Sequence, residues 1–192
     1  MAYSTIIKPS DYFNTKLYTG NGSTNAITGV GFQPDWTWVK GSTLDHCWFD
    51  AVRGVTKRIR SNTDNAEDTT SGVTAFDTDG FTLGSSAEEN QNSTTFTSWN
   101  WKANGLGSSN TDGTINSTYT SANTTSKCSI VKYTGTGSNA TVGHGLGVVP
   151  ESIWVKCTSN AGEDWMVYHK IIGGTHYLTL NTTAGDNSGG EV

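Results

Sequence analysis

"GVGFQPDWTWVKG" at residues 29–41 and "GHGLGVVPESIWVKC" at residues 143–157 are two versions of one strand motif in a chain of 192 residues. The match extends on both sides, because "YTGNGS" at 18–23 aligns with "YTGTGS" at 133–138, and "IRSNT" at 59–63 with "LTLNT" at 178–182. The offset between matched residues stays between 114 and 119. A solenoid unit has about 20 to 50 residues, so this longer period indicates tandem duplication of a whole small domain.

The composition predicts that the chain is nearly all β. Gly (23 residues), Ser, Thr and Asn are abundant, whereas Lys and Arg together number only 12. Good helix formers are therefore scarce, and strand and turn formers are plentiful. Turn residues recur about every 8 to 14 residues, which is typical of antiparallel β-sandwich and jelly-roll domains. We expect equivalent strands at 36–40 and 152–156.

The repeat predicts a division into three parts: a first β-sandwich unit with its N-terminal lead at 1–104, a Gly/Ser/Thr/Asn-rich connection at 105–128, and a second, truncated unit at 129–192. The second copy stops soon after the counterpart of Asn62 and has no match to the segments at 72–76, 81–84 and 95–102. We expect these strands to come from a longer parent chain or, by β-augmentation, from a neighbouring subunit. The first explanation is favoured, because a half-sandwich leaves edge strands and a core open.

Alternation along "DWTWVK" separates two faces of the strand. Trp36, Trp38 and Lys40 share one face, and Val39 lies on the other. The same pattern in the second copy places Val39, Ile153 and Val155 in the core. Trp36 is replaced by Ser152 in the second copy, so we expect it to be more exposed than Trp38 and to be a sugar-stacking or interface residue beside Lys40.

Two further groups are candidates for binding. Trp99 and Trp101 in "TSWNWK" share a face; we expect them to fill the core of a thin sandwich, with a sugar-binding platform as the alternative. Arg58 and Arg60 lie on one side of a predicted strand, where they could bind phosphate or an acidic glycan. Charges that protect an edge strand from aggregation are the favoured interpretation of this pair.

No catalytic or metal-binding pattern emerges. The adjacent carboxylates of "AEEN" at 87–90 would point to opposite faces of a strand, so a solvated loop is expected rather than a glycosidase pair. The four His residues form no helical pair, and no G-x-S-x-G elbow occurs. "DTDG" at 77–80 and "NTDG" at 110–113 contain calcium-type ligands, but tight turns need the same residues. We expect no enzymatic activity, no metal and no cofactor.

Charge and targeting signals restrict location and partners. The formal net charge of -5 argues against nucleic-acid binding. No signal peptide or membrane span is evident, so we expect synthesis in a cytoplasm and no membrane insertion. Cys47, Cys128 and Cys157 show no metal or disulfide spacing and are expected to be free thiols.

The chain also resembles a known family across nearly its whole length. The segments that match are "IIKPSDYFNTKLYTGNGS", "GFQPDWTWVK", "FDAVRG", "AFDTDGFTLGS", "WNWKANG" and "IVKYTGTGSNATVGHGLG". They resemble an uncharacterised tandem-repeat domain of bacteriophage structural and tail-fibre-like proteins. The resemblance implies a concanavalin-like or jelly-roll sandwich in a virion protein: a tail fibre, spike or capsid decoration subunit.

The same resemblance implies partners. Other virion proteins, copies of the chain itself in a homo-oligomer (a trimer is favoured) and host surface glycans are expected. A carbohydrate-binding module or glycan-active enzyme domain is the alternative, since jelly rolls serve both classes. In the second unit "DWMVYHK" replaces "CWFDAVRG", so the two units need not share a site.

Overall fold

The computed structural model describes residues 6–188, and almost all of its regular structure is β-strand. After a 3₁₀ turn at Pro9–Asp11, the first unit contains β1 (Phe13–Thr19), β2 (Asn25–Thr28), β3 (Trp36–Gly41), β4 (His46–Asp50), β5 (Lys57–Arg60), β6 (Asp68–Thr69), β7 (Val73–Asp77), β8 (Gly80–Leu83) and β9 (Thr95–Trp101). One helical turn, α1 (Ala87–Asn90), lies between β8 and β9. The prediction of an all-β chain is confirmed.

The first unit is a sandwich of two antiparallel sheets, β1-β9-β3-β4-β5-β6 and β2-β8-β7. Alternation turns every second side chain of the larger sheet toward the smaller one. We call this side the inner face and the opposite side the outer face. Val39 and Phe49 on the inner face are fully buried, so the prediction for Val39 is confirmed. The core also contains Ile27, Cys47, Val73, Phe81, Leu83 and Phe96.

The rest of the chain forms two smaller sheets, β10-β11-β12 and β13-β14-β15-β16. Their strands are β10 (Ser108–Asn110), β11 (Ser117–Asn123), β12 (Cys128–Lys132), β13 (Ser152–Val155), β14 (Met166–His169), β15 (His176–Thr179) and β16 (Asn187–Ser188). The expected connection at 105–128 is therefore folded into strands. The hydroxyl of Ser121 accepts a 2.8 Å hydrogen bond from the Asn104 backbone N–H, which ties β11 to the end of the first unit.

Four consecutive strands occur twice, as the tandem duplication predicts. Strands β3 to β6 and β13 to β16 follow the same order. They also share one register: Trp38 faces Trp48 as Trp154 faces Val167, and Cys47 faces Arg60 as Met166 faces Thr179. The inner face of the second unit therefore contains Ile153, Val155, Met166 and Tyr168, at the positions of Thr37, Val39, Cys47 and Phe49.

The local hydrogen bonds are duplicated as well. The Asn62 amide oxygen accepts from the backbone N–H of His46 at 2.9 Å, and its nitrogen donates to Asp45. Asn181 makes the same two bonds, accepting from the backbone N–H of Trp165 at 2.8 Å and donating to Asp164. The repeated "SNT" and "LNT" motifs thus close the same hairpin in both units.

The two units differ in the strands that lie beside and over these four shared strands. In the first unit β9 lies between β1 and β3 and pairs with both. Within residues 6–188, the second unit contains no counterparts of β7, β8 and β9, and its β12 and β13 belong to separate sheets. The expected core residue Ile153 is 41% exposed. Its burial by another chain, or by further chain, stays a prediction.

Candidate functional site: the tryptophan cluster

All seven tryptophans of the chain form one contiguous set of ring contacts, the tryptophan cluster. Five lie on the outer face of the first unit because alternation on β3, β4 and β9 places them there, and strand register brings them side by side. Trp36 pairs with Trp101, and Trp38 lies between Trp48 and Trp99. Trp154 and Trp165 of the second unit complete the set through contacts with Trp36 and Trp48.

One half of the cluster holds the two units together. Trp165 packs edge-on against Trp48, with ring centroids 4.6 Å apart, and both residues are buried. The Trp165 Nε1–H donates to the backbone oxygen of Arg60 at 2.7 Å. Ile59 and Leu180 pack against the same rings. The outer faces of the two units therefore pack against each other, and their inner faces point away from each other.

The other half of the cluster is not covered within residues 6–188. Phe13, Thr15 and Leu17 of β1 are exposed on the outer face, Leu17 by 70%. Beside them on β9, Trp99 and Trp101 are half-buried. We call these five residues the open aromatic face. Contiguous apolar surface of this kind makes the open aromatic face a candidate binding site.

The expectation that Trp99 and Trp101 fill the sandwich core is wrong. The core positions of β9 are taken by Phe96, Ser98 and Asn100, which are fully buried. The two tryptophans alternate with them and therefore point outward. The alternative interpretation of this pair, a platform on the sheet surface, remains.

Trp36 lies in the middle of the cluster. It stacks on Trp101, with centroids 3.9 Å apart and ring planes at 16°, and contacts Trp48 and Trp154 edge-on. Its ring faces are thus occupied by protein. Trp36 and Trp38 are both half-buried, and the expected difference between them stays a prediction. Trp99, in contrast, contacts one ring, that of Trp38, and its partner on the other side is the small Thr15.

Lys40 closes a turn. Its ammonium donates to the backbone oxygens of Gly41 and Leu44, at 2.6 and 2.5 Å. Lys156 does the same in the second unit, donating to the oxygens of Cys157 and Glu163. Both lysines therefore stabilise the hairpin that follows the repeated "WVK" motif.

Arg58 and Arg60 point to the inner side of β5, away from the tryptophans. Strand β5 pairs with β4 on one side and β6 on the other, so the interpretation as an edge-strand charge pair is wrong. Arg58 donates to both oxygens of Asp68 and, at 3.0 Å, to Glu89. Arg60 donates to both oxygens of Glu88 at 3.0 and 3.1 Å. Burial alone would raise the pKa of Asp68, but its hydrogen bonds to Arg58 lower it below its usual value.

The sequence led us to expect that the "AEEN" segment is a solvated loop, and this expectation is wrong. The segment forms α1, and Glu89 and Asn90 are fully buried. The side chain of Asn90 accepts from the Asn21 backbone N–H and donates to the Ser23 and Gly84 oxygens. Glu89 can be buried because it forms an ion pair with Arg58, a residue on a distant strand. The sequence around Glu89 does not indicate this partner.

Among the described residues, one set has the composition of a metal site: Cys47, Glu88 and Glu89. The Cys47 thiol lies 3.5 Å from a Glu88 oxygen, and burial together with Glu89 raises the pKa of Cys47. The two carboxylates are neutralised by guanidinium groups, so this set is an ion-pair network with a protonated thiol. It fixes α1 beneath the sheet.

The acidic turns also have structural partners. The carboxylate of Asp79 accepts from the backbone N–H groups of Gly29 and Gly31, and these bonds lower its pKa. Asp77 accepts from the Thr82 hydroxyl at 2.7 Å. In "NTDG", the Asn110 oxygen accepts from the Asp112 N–H. In each turn, side-chain oxygens therefore accept hydrogen bonds from the protein itself.

Comparison with the sequence models of known protein families assigns the chain to one family. The sequence model of a family described as Domain of unknown function (DUF7483) matches residues 8–192. The chain belongs to this family. The match spans both units, so the DUF7483 sequence pattern includes the second, open unit as well as the closed one. No curated protein and no solved structure matches the chain. Within residues 6–188 of this DUF7483 chain, no helix is long and apolar enough to cross a membrane.

Proposed function

We propose that this DUF7483 chain is a non-catalytic structural protein of a bacteriophage particle and that it binds host surface glycans through the open aromatic face. The virion role rests on the family resemblance of its repeat motifs. Glycan binding rests on one observation: Phe13, Leu17, Trp99 and Trp101 lie together on adjacent strands of a rigid sheet, and each is partly or largely accessible to solvent. Aromatic rings of this kind pack against the apolar C–H faces of sugars.

Polar groups suited to sugar hydroxyls stand between the rings. Thr15 and Thr97 belong to the same face of β1 and β9, and each hydroxyl can donate and accept. The five residues of the open aromatic face and the neighbouring Thr97 are uncharged. The ammonium of Lys40, beside Thr97 on β3, is bound to backbone oxygens. We therefore propose a neutral glycan as the ligand. The acidic-glycan ligand considered for Arg58 and Arg60 is less suitable, because their guanidinium groups pair with Asp68, Glu88 and Glu89.

The test is affinity electrophoresis or calorimetry with neutral and acidic bacterial surface polysaccharides. Trp99→Ala and Phe13→Ala should each weaken binding of the neutral polysaccharide by about tenfold, or ~1.4 kcal/mol. Tyr133→Ala is the matched control, because Tyr133 is an exposed aromatic residue, 42% accessible, that belongs to neither β1 nor β9. Equal binding by all three variants would exclude the open aromatic face as the site.

The virion role needs a separate measurement. Mass spectrometry of purified particles, with antibody labelling in electron microscopy, should detect the chain on the particle surface. Glycan binding by a chain that is absent from particles would favour the alternative of a carbohydrate-binding module.

A further inference from the structure

The inner face of the second unit is the largest difference between the two copies. The positions of Val39, Cys47 and Phe49 are fully buried in the first unit. Their counterparts Val155, Met166 and Tyr168 are half-buried, and Ile153 is 41% exposed. All four side chains are apolar or aromatic. The face therefore has the composition of a sandwich core without the sheet that would cover it.

In the first unit, three successive elements complete the structure around these positions: the β7–β8 hairpin and α1 lie over the inner face, and β9 pairs with β3 in the same sheet. Val73, Phe81 and Leu83 supply the apolar surface opposite Phe49. Strand β9 joins β1 to β3 by pairing with both. In the second unit, the edge of β13 that corresponds to the β9-facing edge of β3 has no partner strand within residues 6–188.

The positions of the second unit that correspond to the α1-contacting residues of the first unit are also uncovered within residues 6–188. In the first unit the Tyr18 hydroxyl donates to the backbone oxygen of Glu89 at 2.7 Å, and Asn90 holds the loop at 21–25. Tyr133 and the loop at 135–140 occupy the equivalent positions. They line a shallow hollow of about 380 Å³. The open positions of the second unit thus correspond to the contacts that one continuous segment, residues 73–101, makes in the first.

A segment that covers the second unit must differ from residues 73–101 in one respect. In the first unit Arg58 and Arg60 neutralise Glu89 and Glu88. At their positions the second unit contains Tyr177 and Thr179, as the shared pairing of β5 with β6 and of β15 with β16 shows. A carboxylate buried against Tyr177 would lack a cationic partner, and an unpaired buried charge is strongly destabilising.

We propose that the inner face of the second unit is a docking surface for a β-hairpin, helical turn and strand of the type of residues 73–101, with uncharged residues at the positions of Glu88 and Glu89. The segment comes from outside residues 6–188. It completes the sandwich by β-augmentation along β13 and by covering Ile153 and Tyr168.

The experiment uses the full chain, extended after Val192 by a flexible Gly/Ser linker and a copy of residues 70–104. Three copies are compared: one carries Glu88→Gln and Glu89→Gln, one is unaltered, and one carries Val73→Asp, Phe81→Asp and Leu83→Asp. Amide hydrogen exchange of residues 152–155 and 166–169 reports docking. The neutral copy should slow exchange there by about tenfold or more, the unaltered copy should slow it less, and the aspartate copy should leave it unchanged.

A variant of the second unit provides the matched control. Ile153→Glu in the chain with the neutral copy should restore fast exchange, whereas Ile171→Glu, at an 81% exposed position outside β13 and β14, should not. The proposal is overturned if none of the copies protects β13. It is also overturned if the chain without any copy is a dimer whose β13 is already protected and which Ile153→Glu dissociates, because the occupant is then a second copy.

Discussion

The two units share four strands in the same register and differ in how their inner faces are covered. Phe49 is fully buried, whereas Tyr168, at the same place on the same sheet, is half-buried. The formation and mutual pairing of these four strands are therefore not what distinguishes the units. The difference lies in the residues that follow. In the first unit β7, β8 and α1 lie over the inner face of the sheet, and β9 extends the sheet itself by pairing with β3.

The outer faces, unlike the inner faces, are partly buried in both units. Each unit covers part of the other through Trp48 and Trp165, so the second unit has a buried side although its inner face is open. A four-stranded sheet with one covered face is stabilised by its neighbour rather than by its own core. This comparison can be tested by substituting equivalent positions in the two units.

The largest difference should come from the paired inner-face positions. We expect Phe49→Ala to lower the free energy of unfolding by about 3–5 kcal/mol, since it leaves a cavity in the closed core. Tyr168→Ala should cost about 1 kcal/mol or less, because solvent fills the space. Urea denaturation monitored by tryptophan fluorescence measures both. Similar losses would mean that the inner face of the second unit is already covered.

The buried ion pair should come next. Arg58→Met leaves Glu89 fully buried without its cation, so we expect a loss of about 3 kcal/mol. Tyr177→Met at the equivalent position should change the free energy of unfolding by about 0.5 kcal/mol or less. In the double variant Arg58→Met, Glu89→Gln, part of the loss should be recovered. Absence of any recovery would assign the effect to packing rather than to charge.

The duplicated asparagine should give equal effects in the two units. Asn62→Ala and Asn181→Ala each remove the acceptor of one backbone N–H, which costs about 1 kcal/mol net. Equal shifts in the urea midpoints would show that the hairpins are energetically as well as geometrically equivalent. A clear effect at Asn62 alone would limit that equivalence to geometry.

The smallest expected effect is a pH dependence confined to the first unit. Burial, followed by the nearby charge of Lys40, lowers the pKa of His46 below its ordinary value of 6.5, and its Nδ1 accepts from Trp38 Nε1–H at 3.0 Å. The unfolded chain therefore binds more protons, so stability should fall as the pH drops from 6.5 toward the folded-state pKa.

Thermal unfolding between about pH 7.5 and pH 5.5 measures this dependence. His46→Gln keeps an acceptor for Trp38 and should flatten the slope, whereas the counterpart of His46, Trp165, does not titrate. An unchanged slope in His46→Gln would assign the dependence to another group.

Sequence reasoning succeeded where the signal was local and periodic. The repeat located β3 and β13, and alternation assigned Val39 to the core. It failed for Arg58, Glu89, Trp99 and Trp101, because their environment depends on which distant segment lies beside them. For example, "AEEN" has the composition of a solvated loop, but Arg58, on a strand 31 residues earlier in the chain, neutralises its second glutamate.

By itself the sequence determined that this protein is all-β, that it contains an internal repeat, and which residues alternate between the two faces of each strand. These properties depend on composition and on a period of two residues, and both can be read along the chain. Only the tertiary structure decided that all seven tryptophans meet, that the two units pack by their outer faces, and that the inner face of the second unit is open. The physical reason is that a side chain is buried only where two surfaces meet. Long-range packing, not the neighbouring residues in the sequence, decides which surfaces meet.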